Sequence, residues 1–248
     1  MIILDFGSAT TCKNDKKYVE RMIDELSEVD SGKHDIVIKW QLFSDTISSL
    51  PDGTVLDPPV EPLDRCVFHH AYMYAQARGY QTTASVFDKD SLDFLLEYDI
   101  PFVKIANRPD RYWLAGEVPR RIPLLVSTDG SDYGEWLGGF CMSEWVNFKE
   151  WLFCISKYPA TLKDYEDKFK ADMEYAMDKP PLSFGKRHNY CGLIGADDHW
   201  GISDHTTDFE LYHKYRPDTI EWHYKLEDST GPDAGEFART PEQLREIL

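Results

Sequence analysis

Short runs of apolar residues alternate along the chain with longer stretches in which apolar residues recur every three or four positions. The runs are typical of buried strands, and the stretches are typical of amphipathic helices. On this basis the sequence predicts eight strands: Ile2–Phe6, Asp35–Gln41, Tyr80–Val86, Pro101–Ala106, Ile122–Ser127, Trp151–Ser156, Trp200–His205 and Thr219–Tyr224.

Helices are predicted between most of these strands. The spacing indicates Lys16–Glu28, Asp64–Arg78, Ser91–Tyr98, Leu162–Met177 and Pro241–Leu248, the last with Thr240 as its N-cap. The proline-rich segment Ser44–Pro62 is expected to be a loop, whereas Tyr112–Arg121 and Asp129–Phe140 give no clear signal. Eight strands with helical connections in 248 residues predict an α/β fold, a TIM (β/α)₈ barrel forming a single domain over residues 1–248.

Composition narrows the partners and the compartment. The formal net charge is −17, which disfavours binding to nucleic acid or to anionic membranes. Five cysteines without a C-x-x-C pair indicate reduced thiols, and neither a signal peptide nor an apolar run of ~18 residues is visible. We therefore expect a cytoplasmic protein that acts on small molecules.

Polar residues fall at the C-terminal end of every predicted strand, which in this fold is where active sites are built. The positions are Asp5, Lys39, Gln41, Ser85, Lys104, Asn107, Ser127, Ser156, Tyr158, Ser203, Asp204, His205, Glu221 and His223. A buried lysine or glutamate is costly without a partner, so this set predicts a functional rim.

Two pairs in this set indicate specific chemistry. His205 and His223 end strands that should be adjacent, so both imidazoles could bind one divalent ion such as Mn²⁺, Co²⁺ or Zn²⁺. The alternative is that both histidines are ordinary hydrogen-bonding residues. Lys39 and Lys104 could converge on a phosphate or a carboxylate, and the alternative is that they form buried salt bridges with Asp5 or Glu221.

Other catalytic signatures are missing. The sequence has neither a glycine-rich phosphate-binding fingerprint nor a G-x-S-x-G motif, which disfavours nucleotide-binding and serine-hydrolase functions. His69 and His70 lie within a predicted helix and are expected to be surface or packing residues.

Several segments together resemble the sialic acid (N-acetylneuraminate) synthase family. Ser203–Thr206 and Glu221–Tyr224 resemble that family's S-D-H-T and E-[KR]-H-F signatures. Further similarities follow in the family's order at Ile38–Phe43, Ser85–Asp88, Phe102–Asn107, Cys154–Pro159, Gly231–Asp233 and Thr240–Leu244.

The resemblance implies a phosphoenolpyruvate-dependent enzyme that joins phosphoenolpyruvate to an aldose such as N-acetylmannosamine. It implies a divalent cofactor, Mn²⁺ with Mg²⁺ or Co²⁺ as alternatives, bound by His205 and His223. By the same resemblance, phosphoenolpyruvate is held by Lys39, Ser85, Lys104, Asn107, Ser127, Ser156 and Ser203. The catalytic residues implied are Asp5, Gln41, Tyr158, Glu221 and Asp233.

The chain departs from the family at three points, of which the first concerns the candidate acid or base and the other two the sugar acceptor. Asp5 stands where the family has a glutamate, and Ser44–Pro62 does not match the family segment that holds an N-acetyl sugar. Family members also carry a C-terminal antifreeze-like domain that supplies an arginine to the partner subunit's sugar site, and we expect this contact to be missing because the sequence ends at Leu248. A homodimer is compatible with the resemblance, although the sequence leaves the oligomeric state open.

Two other functions compete with the synthase. One is a metal-dependent aldolase or epimerase on the same barrel. The other is a non-catalytic binding subunit that has lost its acceptor site, which an exposed aromatic surface around Trp136, Trp145 and Trp151 would favour.

Overall fold

The computed structural model of the chain describes residues 1–49, 55–129, 146–177 and 201–248, without the side chains of residues 57, 58 and 170–177. Most of the glycine-rich stretch Asp129–Phe140, together with Trp136, Trp145 and Trp200, lies outside the described residues.

Eight parallel strands close into a barrel, which confirms the predicted TIM-barrel fold. In their order around the barrel, the strands are β1 (Ile2–Asp5), β2 (Ile36–Leu42), β5 (Gln81–Val86), β6 (Val103–Ile105), β7 (Leu124–Thr128), β8 (Phe148–Cys154), β9 (Gly201–Asp204) and β10 (Thr219–His223). The barrel closes where β10 pairs with β1. All eight strands lie within or next to the predicted segments.

Helices cover the outside of the barrel. The longer ones are Lys16–Val29, Arg65–Ala77, Lys89–Leu95, Leu162–Met177 and Glu210–Tyr215, and the short helices Ala9–Cys12 and Pro241–Leu244 complete the set in the described chain. Between β6 and β7 the connection contains a 3₁₀ helix, Pro109–Glu117, which overlaps Tyr112–Arg121, a stretch for which no element was predicted.

Local chemistry explains where these helices begin. The Asp15 carboxylate accepts hydrogen bonds from the backbone amides of Lys17 and Tyr18. Thr240 forms a capping box with Gln243, in which each side chain bonds the other residue's backbone amide, so the predicted N-cap is confirmed. Both caps satisfy amides that have no partner within the helix.

The segment Ser44–Pro62 is not the irregular loop that its prolines predict. Two antiparallel strands, β3 (Ile47–Ser49) and β4 (Val55–Val60), form a ribbon that follows β2. The pairing is irregular between its two register pairs, Ile47 with Val60 and Ser49 with Val55, and prolines are tolerated at bulges and in edge strands. The expectation of a loop was wrong for this reason.

The barrel interior changes character along the strand direction. Five inward residues form an apolar layer: Ile3, Val37, Phe102, Leu125 and Leu152. Because alternate residues of a strand face the same side, the inward residue two positions further along each strand belongs to the mouth of the barrel. These mouth residues are Asp5, Lys39, Lys104, Ser127 and Cys154. All five are buried, and three of them, Asp5, Lys39 and Lys104, carry a charge inside the barrel.

Candidate active site

Two lysines and two carboxylates form the centre of the mouth. Lys39 Nζ lies 2.7 Å from Asp5 Oδ2, 3.0 Å from Glu221 Oε1 and 2.9 Å from Ser85 Oγ. Lys104 Nζ lies 2.6 Å from Glu221 Oε2. Glu221 therefore bridges both lysines, and the salt bridges considered as the alternative from sequence are present.

The two lysines differ in their electrostatic environment. Burial opposes the charge of both, but the carboxylates of Asp5 and Glu221 outweigh it at Lys39 and raise the pKa of that lysine. At Lys104, burial and the positive charge of Lys39 outweigh the attraction of Glu221 and lower the pKa. Although burial opposes its ionisation, Glu221 has a lowered pKa because Lys104 and Lys39 stabilise the carboxylate.

Gln41 joins this cluster to Asp233. Its Nε2 donates hydrogen bonds of 3.0 Å to Asp5 Oδ2 and of 3.0 Å to Asp233 Oδ1. Burial and the charge of Asp5 raise the pKa of Asp233 to about 7. Asp5 itself has a lowered pKa, since Lys39 and His223 outweigh the effect of burial. Two neighbouring carboxyl groups thus carry different affinities for protons.

His205 has a defined tautomer. Its Nδ1 lies 2.7 Å from the carbonyl oxygen of Ile155, which can only accept a hydrogen bond, so Nδ1 carries the proton. Nε2 is therefore unprotonated, and its lone pair accepts a hydrogen bond of 3.3 Å from the Ser203 hydroxyl. Burial, assisted by the neighbouring His223, lowers the pKa of His205 to about 4, and the ring is neutral near pH 7.

His223 lies beside His205 with a buried nitrogen that lacks a hydrogen bond. His223 Nδ1 has no hydrogen-bond partner within the described parts of the chain, although it lies 3.4 Å from Asp233 Oδ1 and 3.8 Å from Asp5 Oδ2. Burial lowers the pKa of this histidine too. Neutral imidazoles with free nitrogen lone pairs are the form that binds metal ions.

The spacing of the two rings is suitable for a shared ion. Their centroids lie 5.5 Å apart. Imidazole nitrogens bind a divalent ion such as Zn²⁺ at about 2.0–2.1 Å, which places two rings on one ion roughly 5 Å apart at a tetrahedral angle. Across residues 1–49, 55–129, 146–177 and 201–248, no three His, Cys, Asp or Glu side chains are grouped closely enough to hold a metal ion. The arrangement therefore fits an ion with two histidine ligands that takes its other ligands from water or substrate.

Aromatic rings enclose the histidines. Tyr158 lies 4.2 Å from the ring centre of His205, and Phe237 lies 4.9 Å from that of His223. Tyr158 and Phe237 also contact each other at 5.0 Å. Because Tyr158 is 53% exposed, its ring is accessible to a molecule that enters the mouth.

The remaining predicted residues lie along the same rim. Asn107 Nδ2 donates to Ser156 Oγ at 3.0 Å, and Tyr112 donates to Asn107 Oδ1 at 2.9 Å. The Ser127 hydroxyl is buried and makes no hydrogen bond to another described residue. The predicted residues thus occupy one end of the barrel with the exception of Asp204, which strand alternation directs to the outer face, so its prediction as a rim residue was wrong. Asn107 and Ser156 form a pair separate from the lysine and histidine cluster.

Residue patterns did not reveal the contacts of Phe237 and Arg239 or the partner of Asp204. Phe237 follows a loop, and its contacts with both histidines depend on how that loop returns to the barrel. Asp204 lies inside the S-D-H-T segment, but nothing in the sequence pairs it with Arg239, 35 residues away. The position of Asp204 next to His205 was the only available signal.

No helix within the described residues is long and apolar enough to cross a membrane. No protein-family profile matches the sequence, and no curated protein matches it in sequence.

Solved structures, however, match the chain along nearly its whole length. The N-acetylneuraminic acid (sialic acid) synthetase of Leptospira borgpetersenii, solved with citrate, has a TM-score of 0.69 and 20% sequence identity, and the match covers 99% of this chain and 80% of that protein. A putative spore coat polysaccharide biosynthesis protein E from Chromobacterium violaceum has a TM-score of 0.70 and 18% identity, with coverage of 99% and 71%.

A more distant neighbour is the truncated 3-deoxy-D-arabino-heptulosonate 7-phosphate synthase of Thermotoga maritima. It has a TM-score of 0.61 and 12% identity, with coverage of 99% of this chain and 83% of that protein. At these identities the matches establish a shared fold, so the chain has the barrel fold of the sialic acid synthases that its motifs resemble.

Proposed function

We propose that the chain is a phosphoenolpyruvate-dependent synthase. It condenses phosphoenolpyruvate with an aldose, assisted by a divalent metal ion, and yields a sialic-acid-like 2-keto acid and phosphate. One observation carries this proposal: two buried lysines stand beside two neutral histidines at the mouth of a barrel with the fold of such synthases.

The lysine cluster suits a small, strongly charged substrate. Phosphoenolpyruvate carries a carboxylate and a phosphate, which together hold about three negative charges near neutral pH. Lys39 and Lys104 are fixed in place by Glu221, so they need little reorganisation to receive an anion. Further hydrogen bonds to the anion would come from the hydroxyl and amide groups at the rim, which are those of Ser85, Ser127, Ser156, Ser203 and Asn107.

His205 and His223 would hold the metal ion, for which Mn²⁺ is our first choice and Mg²⁺ or Co²⁺ an alternative. When bound, such an ion polarises the aldehyde of the acceptor as a Lewis acid. The phenol of Tyr158 and the amide of Gln41 would orient the sugar, since one is exposed at the mouth and the other joins Asp5 to Asp233.

The proposed reaction forms one carbon–carbon bond, consumes one water molecule and releases phosphate. A bond forms between C3 of phosphoenolpyruvate and the aldehyde carbon, water adds at C2, and the C2–O bond to phosphate breaks. Proton transfer needs one group that releases a proton and one that accepts it. Asp233, with a pKa of about 7, and the ionised Asp5 or Glu221 provide such a pair.

The test is the release of inorganic phosphate from phosphoenolpyruvate in the presence of Mn²⁺ and a panel of aldoses that includes N-acetylmannosamine. We expect release with at least one aldose and none from His205→Ala. If the folded, metal-loaded protein releases no phosphate with any aldose, the synthase proposal fails. Turnover of a sugar without phosphoenolpyruvate would instead indicate an aldolase or epimerase.

A further inference from the structure

The carboxylate of Asp204 lies on the outer face of the barrel wall, away from the mouth. Its neighbours in sequence, Ser203 and His205, belong to the mouth, so alternation directs Asp204 to the outer face of β9. Around it that face is apolar, with Ile202 on the same strand and Trp222 on β10. Asp204 is nonetheless fully buried.

The contacts of Asp204 join the two histidine-bearing strands. Its Oδ2 accepts a hydrogen bond of 2.8 Å from the indole Nε1 of Trp222, the residue before His223. Its Oδ1 accepts from the amide of Thr206 at 2.8 Å and from the hydroxyl of Thr206 at 2.7 Å. Asp204 therefore bonds the residue that follows His205 as well as the residue that precedes His223.

Arg239 completes this network from the segment that follows β10. Its guanidinium is buried and lies 3.7 Å from Asp204 Oδ2. Arg239 Nη1 donates to the carbonyl oxygens of Thr206 at 2.7 Å and of Phe237 at 3.0 Å. The backbone amide of Arg239 donates to the carbonyl of His223 at 2.7 Å.

Stability alone is a weak reason to bury such a pair. Replacing buried ion pairs with apolar residues of similar volume is often neutral or stabilising, because desolvation offsets the attraction. The pair instead constrains the orientation of the groups to which it is hydrogen-bonded. Apart from a hydrogen bond from Arg239 to the carbonyl of Asp208, its bonds end on Thr206, Trp222, Phe237 and the His223 backbone, each of which adjoins or contacts a histidine of the mouth.

We propose that Asp204 and Arg239 are positioning residues that fix the separation and orientation of the His205 and His223 imidazoles from behind the barrel wall. The inference rests on the proposed metal site. Groups that orient metal ligands in this way typically change metal affinity 10–100-fold when they are substituted.

Trp222 and Tyr224 provide a matched pair of substitutions. Both flank His223, both face outward and both are buried aromatic residues with one side-chain hydrogen bond. Trp222 bonds Asp204, whereas the Tyr224 hydroxyl donates to the backbone carbonyl of Met22 at 2.8 Å, away from β9. Trp222→Phe and Tyr224→Phe each remove one hydrogen bond and keep an aromatic ring.

The experiment titrates the metal-free protein with Co²⁺ and records affinity, the visible absorption bands of the bound ion and the melting temperature before metal addition. We expect Trp222→Phe to weaken Co²⁺ binding about tenfold or more and to alter the bands. Tyr224→Phe should keep both within twofold of wild type, although both variants melt lower. Asp204→Asn should reproduce the Trp222→Phe result, and the double variant should add little to either.

Wild-type affinity and bands in Trp222→Phe would overturn the inference, as would equal losses in Trp222→Phe and Tyr224→Phe. Should Asp204→Asn fail to fold, the comparison of the two aromatic variants still decides. A wild-type protein that binds no Co²⁺ would overturn the proposed metal site together with this inference, an outcome distinct from variants that behave alike.

Discussion

Two layers of the same barrel interior, one strand repeat apart, have opposite chemistry. The apolar layer of Ile3, Val37, Phe102, Leu125 and Leu152 contains no charge. Two residues further along the first three of these strands, the mouth carries Asp5, Lys39 and Lys104. Both layers are equally buried, so exposure to solvent does not explain the difference.

The comparison separates stability from function within one core. Apolar burial and close packing stabilise the fold, and each large buried aliphatic side chain contributes about 1.5–3 kcal/mol. Buried charges cost desolvation energy that their mutual attraction only partly returns. The mouth is therefore the part of the interior where the fold gives up stability in order to hold fixed charges, as is typical of active sites.

The largest expected effect comes from substituting neighbouring residues of the two layers. Lys104→Met keeps the volume and removes the charge, while Glu221 retains its contact with Lys39. We expect phosphate release to fall about 100- to 1,000-fold, given the roughly 2.7–4 kcal/mol that one preorganised electrostatic group contributes. Unfolding free energy should fall by less than the roughly 3–5 kcal/mol lost when a buried charge keeps no partner, because Glu221 remains paired with Lys39.

Leu125→Ala, which truncates the register partner of Lys104, should lower the stability of the fold and leave the activity intact. A fully buried leucine that leaves a cavity costs about 2–5 kcal/mol of unfolding free energy, whereas phosphate release per folded molecule should be unchanged. Urea denaturation and phosphate assays on both variants check the comparison. A loss of phosphate release per folded molecule in Leu125→Ala, or its retention in Lys104→Met, would contradict the comparison.

A smaller effect is expected from two buried glutamates at opposite ends of the barrel. Glu221 bridges Lys39 and Lys104 at the mouth, whereas Glu150 accepts a 2.8 Å hydrogen bond from Thr219 near the N-terminal end. Removing one negative charge beside two lysines should favour an incoming anion by about 1.4 kcal/mol, which is tenfold in affinity.

We therefore expect Glu221→Gln to bind inorganic phosphate about tenfold more tightly than wild type in calorimetric titrations without metal. Glu150→Gln should match wild type. Weaker phosphate binding by Glu221→Gln would contradict this prediction. It would show that the carboxylate of Glu221 acts mainly by holding the two lysines in place.

The smallest effect is expected at Tyr158. Its hydroxyl has no role in packing because the side chain is largely exposed, so Tyr158→Phe should change the melting temperature by less than about 2 °C. If the phenol orients the acceptor, KM for the aldose should rise several-fold while KM for phosphoenolpyruvate stays the same. Steady-state kinetics with each substrate varied in turn provide the measurement, and equal changes in both KM values would contradict the assignment.

Much of the fold could be predicted from the sequence because its signal is local. Runs such as residues 36–38 at the start of β2 are apolar on both faces of the strand, and helix starts such as Thr240 carry their caps nearby in the chain. The ribbon in Ser44–Pro62 was missed because proline is compatible with irregularly paired edge strands, and composition does not show where the pairing is interrupted.

The candidate site, too, could be predicted from the sequence only in part. Polar residues at strand ends predicted which side chains gather at the mouth, since parallel strands in a barrel bring their C-terminal ends together. The sequence left open whether Lys39 and Lys104 pair with carboxylates, and it gave no indication that Glu221 bridges them. Such contacts depend on the stagger between strands and on side-chain direction, which long-range packing determines.

By itself, then, the sequence determined the strand and helix pattern, the barrel and the residue types at its mouth, because each of these follows from the order of neighbours along the chain. The tertiary structure alone decided that Phe237 packs against the two histidines and that Asp204 meets Arg239 behind them. Those contacts join segments that approach each other only when the barrel has closed, and no pattern within either segment encodes the other.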